Sequence, residues 1–419
     1  MVDNIFFIDS IYSPIGDDLS YVTFLPAEAN SEQHPMVVAM NRNQMGLNGH
    51  RGDVKEGWYV IYDREAQGNP FTYGNRTALA RKQYKDFRSI QQQLLQNNVT
   101  EESQNCRVLL EQLSIDYNAQ ITSYHVNVGH GNCSVVLIKY DGNHQIWMVD
   151  GSLSEKGNGN QFAMNLEACF DEIRKRLGVP DEPIKIKRFF LTHPHIDHFS
   201  GVEYLVSNGH IDSDTICYWN LYYHWSYAKY TKVLQLLQRA NAKFIEPVAG
   251  NNTKAFMFLH PECRIFRSKG TVGTHNGKYR IVSSPVNDCS AVIRFHLGGK
   301  TMVFPGDLEK GGFDNMTKNK TCSPKLCCIN YYAISHHGSL NGHPDIACLN
   351  PDPNHPAKPL ECINLRNEKG VLMGRDGAYN GIYSPVVTSY WSGRGTLVKT
   401  EDAPHFVELE WGTGVVRNY

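Results

Sequence analysis

Apolar positions recur with two periods along this chain and divide it into two regions. Over residues 1–120, short strand-like runs, YVTFLPAEA, PMVVAM and GWYVIYD, are separated by loops. They lead into RTALARKQYKDFRSIQQQLLQNN, a polar segment whose spacing predicts a long helix. From about Ile121 to Tyr419 strands interleave with helices. ITSYHVNVGHGNCSVVLIKY and QIWMVDGS predict paired strands, and QFAMNLEACFDEIRKRLG predicts an amphipathic helix stopped by Gly178 and Pro180. IKIKRFFLTH predicts a strand running straight into a histidine cluster. A short helix at FSGVEYLVSNG, a strand at TICYWNLYY and a helix at YAKYTKVLQLLQRANA follow. Further strands are expected at YRIVSSP, SAVIRFHL, KTMVFPGD, CINYYAISHH, LECINL, SPVVTSYW and HFVELEW. The pattern is a strand-rich α/β domain over 121–419, preceded by an N-terminal α+β accessory region with no readable cluster of catalytic residue types. No internal repeat or low-complexity run interrupts it.

Composition narrows the class of function. With 41 basic against 42 acidic residues the net charge is −1, which gives no reason to expect a basic coat for nucleic acid or a polybasic membrane surface. Any anionic substrate has to be attracted locally. The N-terminal run MVDNIFFIDSIYSPIGDD is acidic and broken too soon for a signal peptide, and no stretch of about 18 apolar residues occurs. A soluble, cytoplasmic protein without a membrane partner is expected. The eleven cysteines are odd in number and scattered through apolar contexts such as LEACFDEI and KLCCIN, with no CxxC pair, so they are expected as reduced core residues.

LTHPHIDHFSG, Leu191–Gly201, places His193, His195, Asp197 and His198 within six positions. Histidines at i and i+2 of an extended turn can aim both imidazoles at one metal ion. An aspartate and a histidine just beyond, where a helix begins, can reach a second ion beside it. The strand-to-helix context is the one such a motif requires. The remaining His210, His224, His260, His275, His296, His343 and His355 lack ligand spacing and are expected as packed or surface residues, with His224 and His275 held open. The aromatic run from Tyr218 to Tyr227 reads as a half-buried strand edge in preference to a base-stacking platform.

The cluster resembles the HxHxDH signature of the metallo-β-lactamase fold superfamily. The resemblance continues in order over about Ile121 to Trp411, with Asp150 ending the strand of WMVDGS, Asp307 in TMVFPGDLE, and His336 and His337 in YYAISHHGS. It implies an αββα sandwich and two divalent metal ions, with zinc first and manganese as the alternative: imidazoles suit zinc, and carboxylates tolerate manganese. It further implies that His193, His195 and Asp307 hold the first ion and that Asp307 bridges to the second. Asp197, His198 and one histidine of the pair, either His336 or His337, would hold that second ion. Many members carry a third first-site histidine just before the Gly-Asp motif, where this chain has SPVNDCSAVIRFHLGG, leaving Asp288 as the candidate replacement. NDCS, FPGDLE, SHHGS and VNVGHGNCSVVL are most similar to the branch holding the metallo-β-lactamase domain of the ComEC DNA-uptake proteins and its free-standing relatives. His130 and Asn132 stand where that branch has Gln and Asp. The transmembrane channel that accompanies the domain in ComEC proteins has no counterpart in this sequence, so DNA passage is not expected.

The chemistry so implied is hydrolysis by a metal-activated water, with two ions about 3.5 to 4 Å apart clamping the displacement. Asp150 would orient a ligand histidine or the water, and Asp197 and His337 would share in catalysis. The histidine of the pair that is not a ligand would protonate a leaving oxygen or hold a phosphate. Gly338, Ser339 and Ser290 would offer donors to an anion, unless they serve only their turns. His130 and Asn132 would face the substrate. The expected activity is that of a phosphodiesterase or nuclease acting on a phosphoester, with nucleic acid or a nucleotide as candidate substrate. The alternatives are an acyl hydrolase of the same fold, cleaving a lactone, thioester or β-lactam, and a non-catalytic binding protein. The N-terminal region would cap the site, bind a protein partner or mediate oligomerisation.

Overall fold

The computed structural model describes residues 5–14, 18–28, 36–48, 53–63, 66, 70–73, 78–96, 103–153, 159–180, 182–221, 225–247, 253–259, 272–275, 278–281, 286–313, 329–343, 369–374, 383–393 and 397–419. Six strands form an N-terminal sheet: β1 (Ile5–Tyr12), β2 (Leu19–Pro26), β3 (Met36–Asn41), β4 (Leu47–Asn48), β5 (Tyr59–Tyr62) and β6 (Phe71–Tyr73), in the order β3-β2-β1-β5-β6-β4. β2, β3 and β5 are the strands expected from the sequence. β1 was not expected. The long polar helix is α1 (Ala78–Gln96), and a second, unforeseen helix follows as α2 (Gln104–Ile115), started by Ser103, whose hydroxyl accepts the Cys106 N–H.

β7 (Gln120–Val126), β8 (Cys133–Tyr140) and β9 (Asn143–Gly151) form the expected antiparallel meander. β10 (Arg188–Phe190), β11 (Ile216–Tyr218) and β12 (Lys243–Ile245) extend it in parallel. Parallel neighbours need crossovers. Here these are α3 (Gly159–Leu177), the pair α4 (Ile196–Phe199) and α5 (Val202–Ser207), and α6 (Ala228–Arg239). A second sheet runs β13 (Phe256–Phe258), β16 (Ile293–Leu297), β17 (Lys300–Phe304), β18 (Tyr331–Ala333), β19 (Lys369–Leu372) and β20 (Leu397–Lys399), with α7 (Pro385–Ser392) on its outer face. β14 (Val272–His275) and β15 (Lys278–Ile281) form a separate ribbon, and β21 (Phe406–Glu410) and β22 (Val416–Asn418) finish the first sheet beyond β7.

The strands are apolar on both faces because both faces are covered. In β8, Val135 and Leu137 pack among the helices while Val136 and Ile138 pack against the second sheet, and in β9 Met148 divides from Trp147 and Val149 in the same way. In the second sheet Met302, Phe304, Tyr331 and Ala333 face inward, whereas Val303 and Tyr332 meet Val387 and Trp391 of α7. The layers are therefore helix, sheet, sheet, helix.

The N-terminal sheet is docked into the helix layer of the first sheet. Phe7 of β1 lies edge-on to Trp225 at 5.0 Å and stacks on Tyr227 at 5.3 Å. The Tyr59 hydroxyl donates to the Ser226 carbonyl at 2.8 Å. Four cysteines, Cys133, Cys169, Cys217 and Cys289, are free and buried, as expected of reduced core residues. No helix among the described residues is long and apolar enough to cross a membrane.

One sequence expectation is corrected. SPVVTSYW is helix, not strand: Ser384 caps it by accepting the Val386 N–H, Pro385 takes the first turn, and Val387 and Trp391, four apart, share one face. After α7 the chain changes sheets, because β20 pairs with β19 in one sheet and β21 with β7 in the other. The short helix expected at FSGVEYLVSNG is α5, and it starts after Gly201, where a Cβ would come within 2.5 Å of Leu153. The strand expected at LECINL, and His224, His260 and His355, lie outside the described residues.

Candidate metal centre

Residues leaving the C-terminal ends of β9, β10, β17 and β18 converge. One ligand atom each from Asp197, His198, Asp307 and His337 lies within 4.8 Å of all the others. His337 Nε2 is 3.2 Å from Asp197 Oδ2 and 3.3 Å from Asp307 Oδ2, and His198 Nε2 is 3.3 Å from Asp307 Oδ1. The far nitrogen of each imidazole is occupied. His198 Nδ1 pairs with Asp150 Oδ2 at 2.8 Å, and His337 Nδ1 donates to the Met373 carbonyl at 3.2 Å. Each Nε2 is thereby turned inward.

Asp150 ends β9 in a left-handed conformation, φ 55°, and its Oδ1 accepts the Thr192 N–H at 2.8 Å. One carboxylate thus ties the end of β9 to the start of the histidine segment. His336 and His337 are also left-handed, both at φ 48°, a conformation that costs of order 1–3 kcal/mol per residue and persists only where surroundings enforce it. Here the Ser335 hydroxyl faces the Gly306 and Leu308 carbonyls at 3.1 and 2.7 Å, and the His336 N–H donates to Gly306. Gly306 itself, at φ 58°, leaves no room for a Cβ, which would sit 2.7 Å from Thr192.

His193 and His195 flank the four-residue group without joining it: His193 Nε2 is 3.0 Å from His195 Nδ1 and 4.0 Å from Asp307 Oδ2. Nε2 of His195, His198 and His337 and Oδ1 of Asp307 are buried with no hydrogen-bond partner. Buried polar atoms are otherwise almost always paired, so a set of unpaired lone pairs aimed inward fits a cation.

Electrostatics agrees. Burial pushes His198 down, but the carboxylates of Asp307, Asp150 and Asp197 outweigh it and hold the imidazole well above its usual range. Burial likewise opposes, and Asp307 and Asp197 overcome, for His337, which reaches about 10. Burial would raise Asp307 and Asp197, yet the neighbouring imidazoles hold both well below the usual carboxylate range. Without metal the cluster takes up protons, and a cation must displace them. Burial lowers His195, His130 and His336 to about 4.

The other expected site residues divide. His130 is at the site, its Nε2 3.3 Å from Asp197 Oδ2 and its ring 4.2 Å from that of His337. Asn132 braces the site by backbone, its N–H donating to the Asp197 carbonyl at 3.0 Å. Ser290 accepts the Asp307 N–H at 3.3 Å, Ser339 accepts the Gly342 N–H at 3.1 Å, and the Gly338 carbonyl accepts the Ser384 N–H, so these three hold turns. Asp288 and His336 stay outside the four-residue group. Asp288 accepts the Gly312 N–H at 2.9 Å, and His336 Nδ1 faces Glu309 Oε1 at 3.4 Å.

Sequence reasoning missed β1. Asp9 Oδ2 accepts the Ile196 N–H at 3.3 Å, and Ser10, Ile11 and Tyr12 line the pocket over His195, Asp197 and Asp307. A lone carboxylate inside the apolar run IFFIDSIY was the available signal. The aromatic run contributes Trp225, buried 5.6 Å from the His195 ring, as packing.

The sequence pattern that defines the metallo-beta-lactamase superfamily matches residues 128–324. This segment belongs to the metallo-beta-lactamase superfamily. The superfamily segment carries Asp150, the histidine cluster and Asp307, while His336 and His337 follow it. Among solved structures the chain is similar to the metallo-beta-lactamase fold protein YhfI from Bacillus subtilis, at 12% identity over 51% of this chain and 70% of that one, with a TM-score of 0.28. It is also similar to a long form RNase Z from yeast, at 16% identity over 30% of this chain and 18% of that one, with a TM-score of 0.20. No curated protein sequence matches the chain significantly.

Asp150→Asn retains a residue that tolerates the left-handed backbone and removes the charge that fixes His198. Metal affinity is expected to fall about 10- to 100-fold, read by competition with a chromogenic chelator. Unchanged affinity would mean that Asp150 does not orient His198.

Proposed function

We propose that the chain is a metal-dependent phosphoester hydrolase, a phosphodiesterase in the first instance. Asp197, His198, Asp307 and His337 would hold one divalent ion, and His193, His195 and Asp307 an adjacent one. The observation that carries this reading is the buried convergence of two carboxylates and two imidazoles whose inward nitrogens lack hydrogen-bond partners. Mixed oxygen and nitrogen donors suit zinc or manganese. Ions bound there supply Lewis acidity and an activated water for hydrolysis.

The chain's own residues supply the rest. Asp150 keeps Nε2 of His198 aimed inward, and the Met373 carbonyl does the same for His337. His130 and His336 stand at the pocket wall, where ring N–H groups can meet non-bridging phosphoryl oxygens or a leaving oxygen. A phosphodiester presents two non-bridging oxygens where an acyl carbonyl presents one, so this surplus of donors supports the phosphoester over the acyl substrate. The resemblance to the ComEC-type branch supports nucleic acid or a nucleotide as its source.

The test is metal content by elemental analysis together with hydrolysis of bis-p-nitrophenyl phosphate in zinc and in manganese, beside a lactone and a thioester. Metal-dependent turnover of the phosphodiester is expected. A metal-loaded protein that opens only the acyl substrates is the acyl hydrolase, and a metal-free, inert protein is the binding protein.

A further inference from the structure

The segment that closes the pocket comes from the N-terminal sheet and lies outside the superfamily match. β1 and β2 pair through Ile8–Phe24 and resume at Ser10–Thr23, so Asp9 is the extra residue of a bulge. Bulges bend a strand and re-aim its side chains, and they recur beside active sites. This one turns Asp9 toward the Ile196 N–H at the start of the helix that carries Asp197 and His198, and sets Ser10, Ile11 and Tyr12 along the pocket. Glu56 secures the far end, its Oε1 accepting the Ile11 N–H and its Oε2 the Val286 N–H, both at 3.0 Å. Tyr12 stands edge-on to His336 at 5.4 Å.

The wall leaves little room. The cavity beneath it measures only about 20 Å³, room for about one water and far below the roughly 300–1,000 Å³ that ligand pockets occupy. Of the four converging side chains the most accessible, Asp197, is 16% exposed. An internal linkage of a polynucleotide has bulky groups on both sides and would have to be drawn past Tyr12 to reach them. A net charge of −1 adds little electrostatic attraction for a long polyanion.

We propose that Ser10–Tyr12 of β1 form the specificity wall of the site, confining it to small phosphodiesters and the ends of chains and excluding internal linkages. The inference rests on the phosphoester reading above. It is tested with the metal-loaded full chain on two substrates, thymidine 5′-p-nitrophenyl phosphate and a circular single-stranded oligonucleotide, which offers internal linkages only. The wild type is expected to hydrolyse the first and leave the circle closed. Tyr12→Ala and Ile11→Ala, each checked for metal content and melting, are expected to raise the ratio of circle opening to small-substrate turnover by about tenfold or more. Wild-type opening of the circle at a comparable rate per linkage overturns the inference and leaves the phosphoester reading standing, as does a ratio unmoved in folded variants. The wild-type comparison decides even if Tyr12→Ala does not fold. A metal-loaded protein that turns over neither substrate overturns both.

Discussion

Asp307→Ala is expected to empty the centre of metal and to lower phosphodiester turnover by about a hundred- to thousandfold or more. Asp307 is the residue that faces both halves of the cluster. Its Oδ1 lies 3.3 Å from His198 Nε2, and its Oδ2 lies 3.3 Å from His337 Nε2 and 4.0 Å from His193 Nε2. Removing it would take away an oxygen donor that both proposed ions would need. It also removes the largest of the attractions that hold His198 and His337 in their protonated forms without metal. The measurement is elemental analysis and kcat/KM on bis-p-nitrophenyl phosphate, with a melting curve to show that the variant folds. A folded variant that keeps its metal and most of its turnover would place the centre elsewhere.

Phe7→Ala is expected to destabilise the chain by about 3–5 kcal/mol, the usual cost of truncating a buried phenylalanine to alanine. Phe7 is fully buried, 5.2 Å from Tyr59, 5.0 Å from Trp225 and 5.3 Å from Tyr227, so its ring joins the N-terminal sheet to the segment leading into α6. Trp225 in turn lies 5.6 Å from His195. Loosening Phe7 therefore loosens both the wall of the pocket and the packing behind a candidate ligand, and activity is expected to fall with stability. Urea unfolding of the full chain measures the first and bis-p-nitrophenyl phosphate turnover the second. A loss below about 1 kcal/mol would mean that β1 is held by the hydrogen bonds of Asp9 and Glu56 and not by its apolar anchor.

The helix α7 and the histidine pair show how far local pattern reaches. In SPVVTSYW the β-branched and aromatic residues argue for a strand, while the capping Ser384 and the proline after it argue for a helix. The helix prevails because Val387 and Trp391 reach the outer face of the second sheet, where Trp391 stacks on Tyr332 at 5.7 Å. That outer face is not visible in the eight residues themselves. Similarly, HHGS marks a ligand turn but does not distinguish its two histidines. The choice falls to Met373, 36 residues on, whose carbonyl takes Nδ1 of His337, and to Glu309, which faces His336.

The strand-rich α/β pattern and the cluster of His193, His195, Asp197 and His198 are legible in the sequence itself, while the αββα layering and the addition of Asp150 and Asp307 are what the family resemblance implies. Each motif is written within a strand and the few residues after it, where alternation, turn residues and ligand spacing are local. The tertiary structure alone decides that His337 and not His336 turns inward, that Asp288, Ser290 and Ser339 brace turns, and that β1 walls the pocket. The Asp9–Ile196 contact joins residues 187 positions apart. A pairing so distant leaves no periodic trace in either segment, and it forms only when the bulge in one strand and the start of a helix far along the chain are packed on the same core.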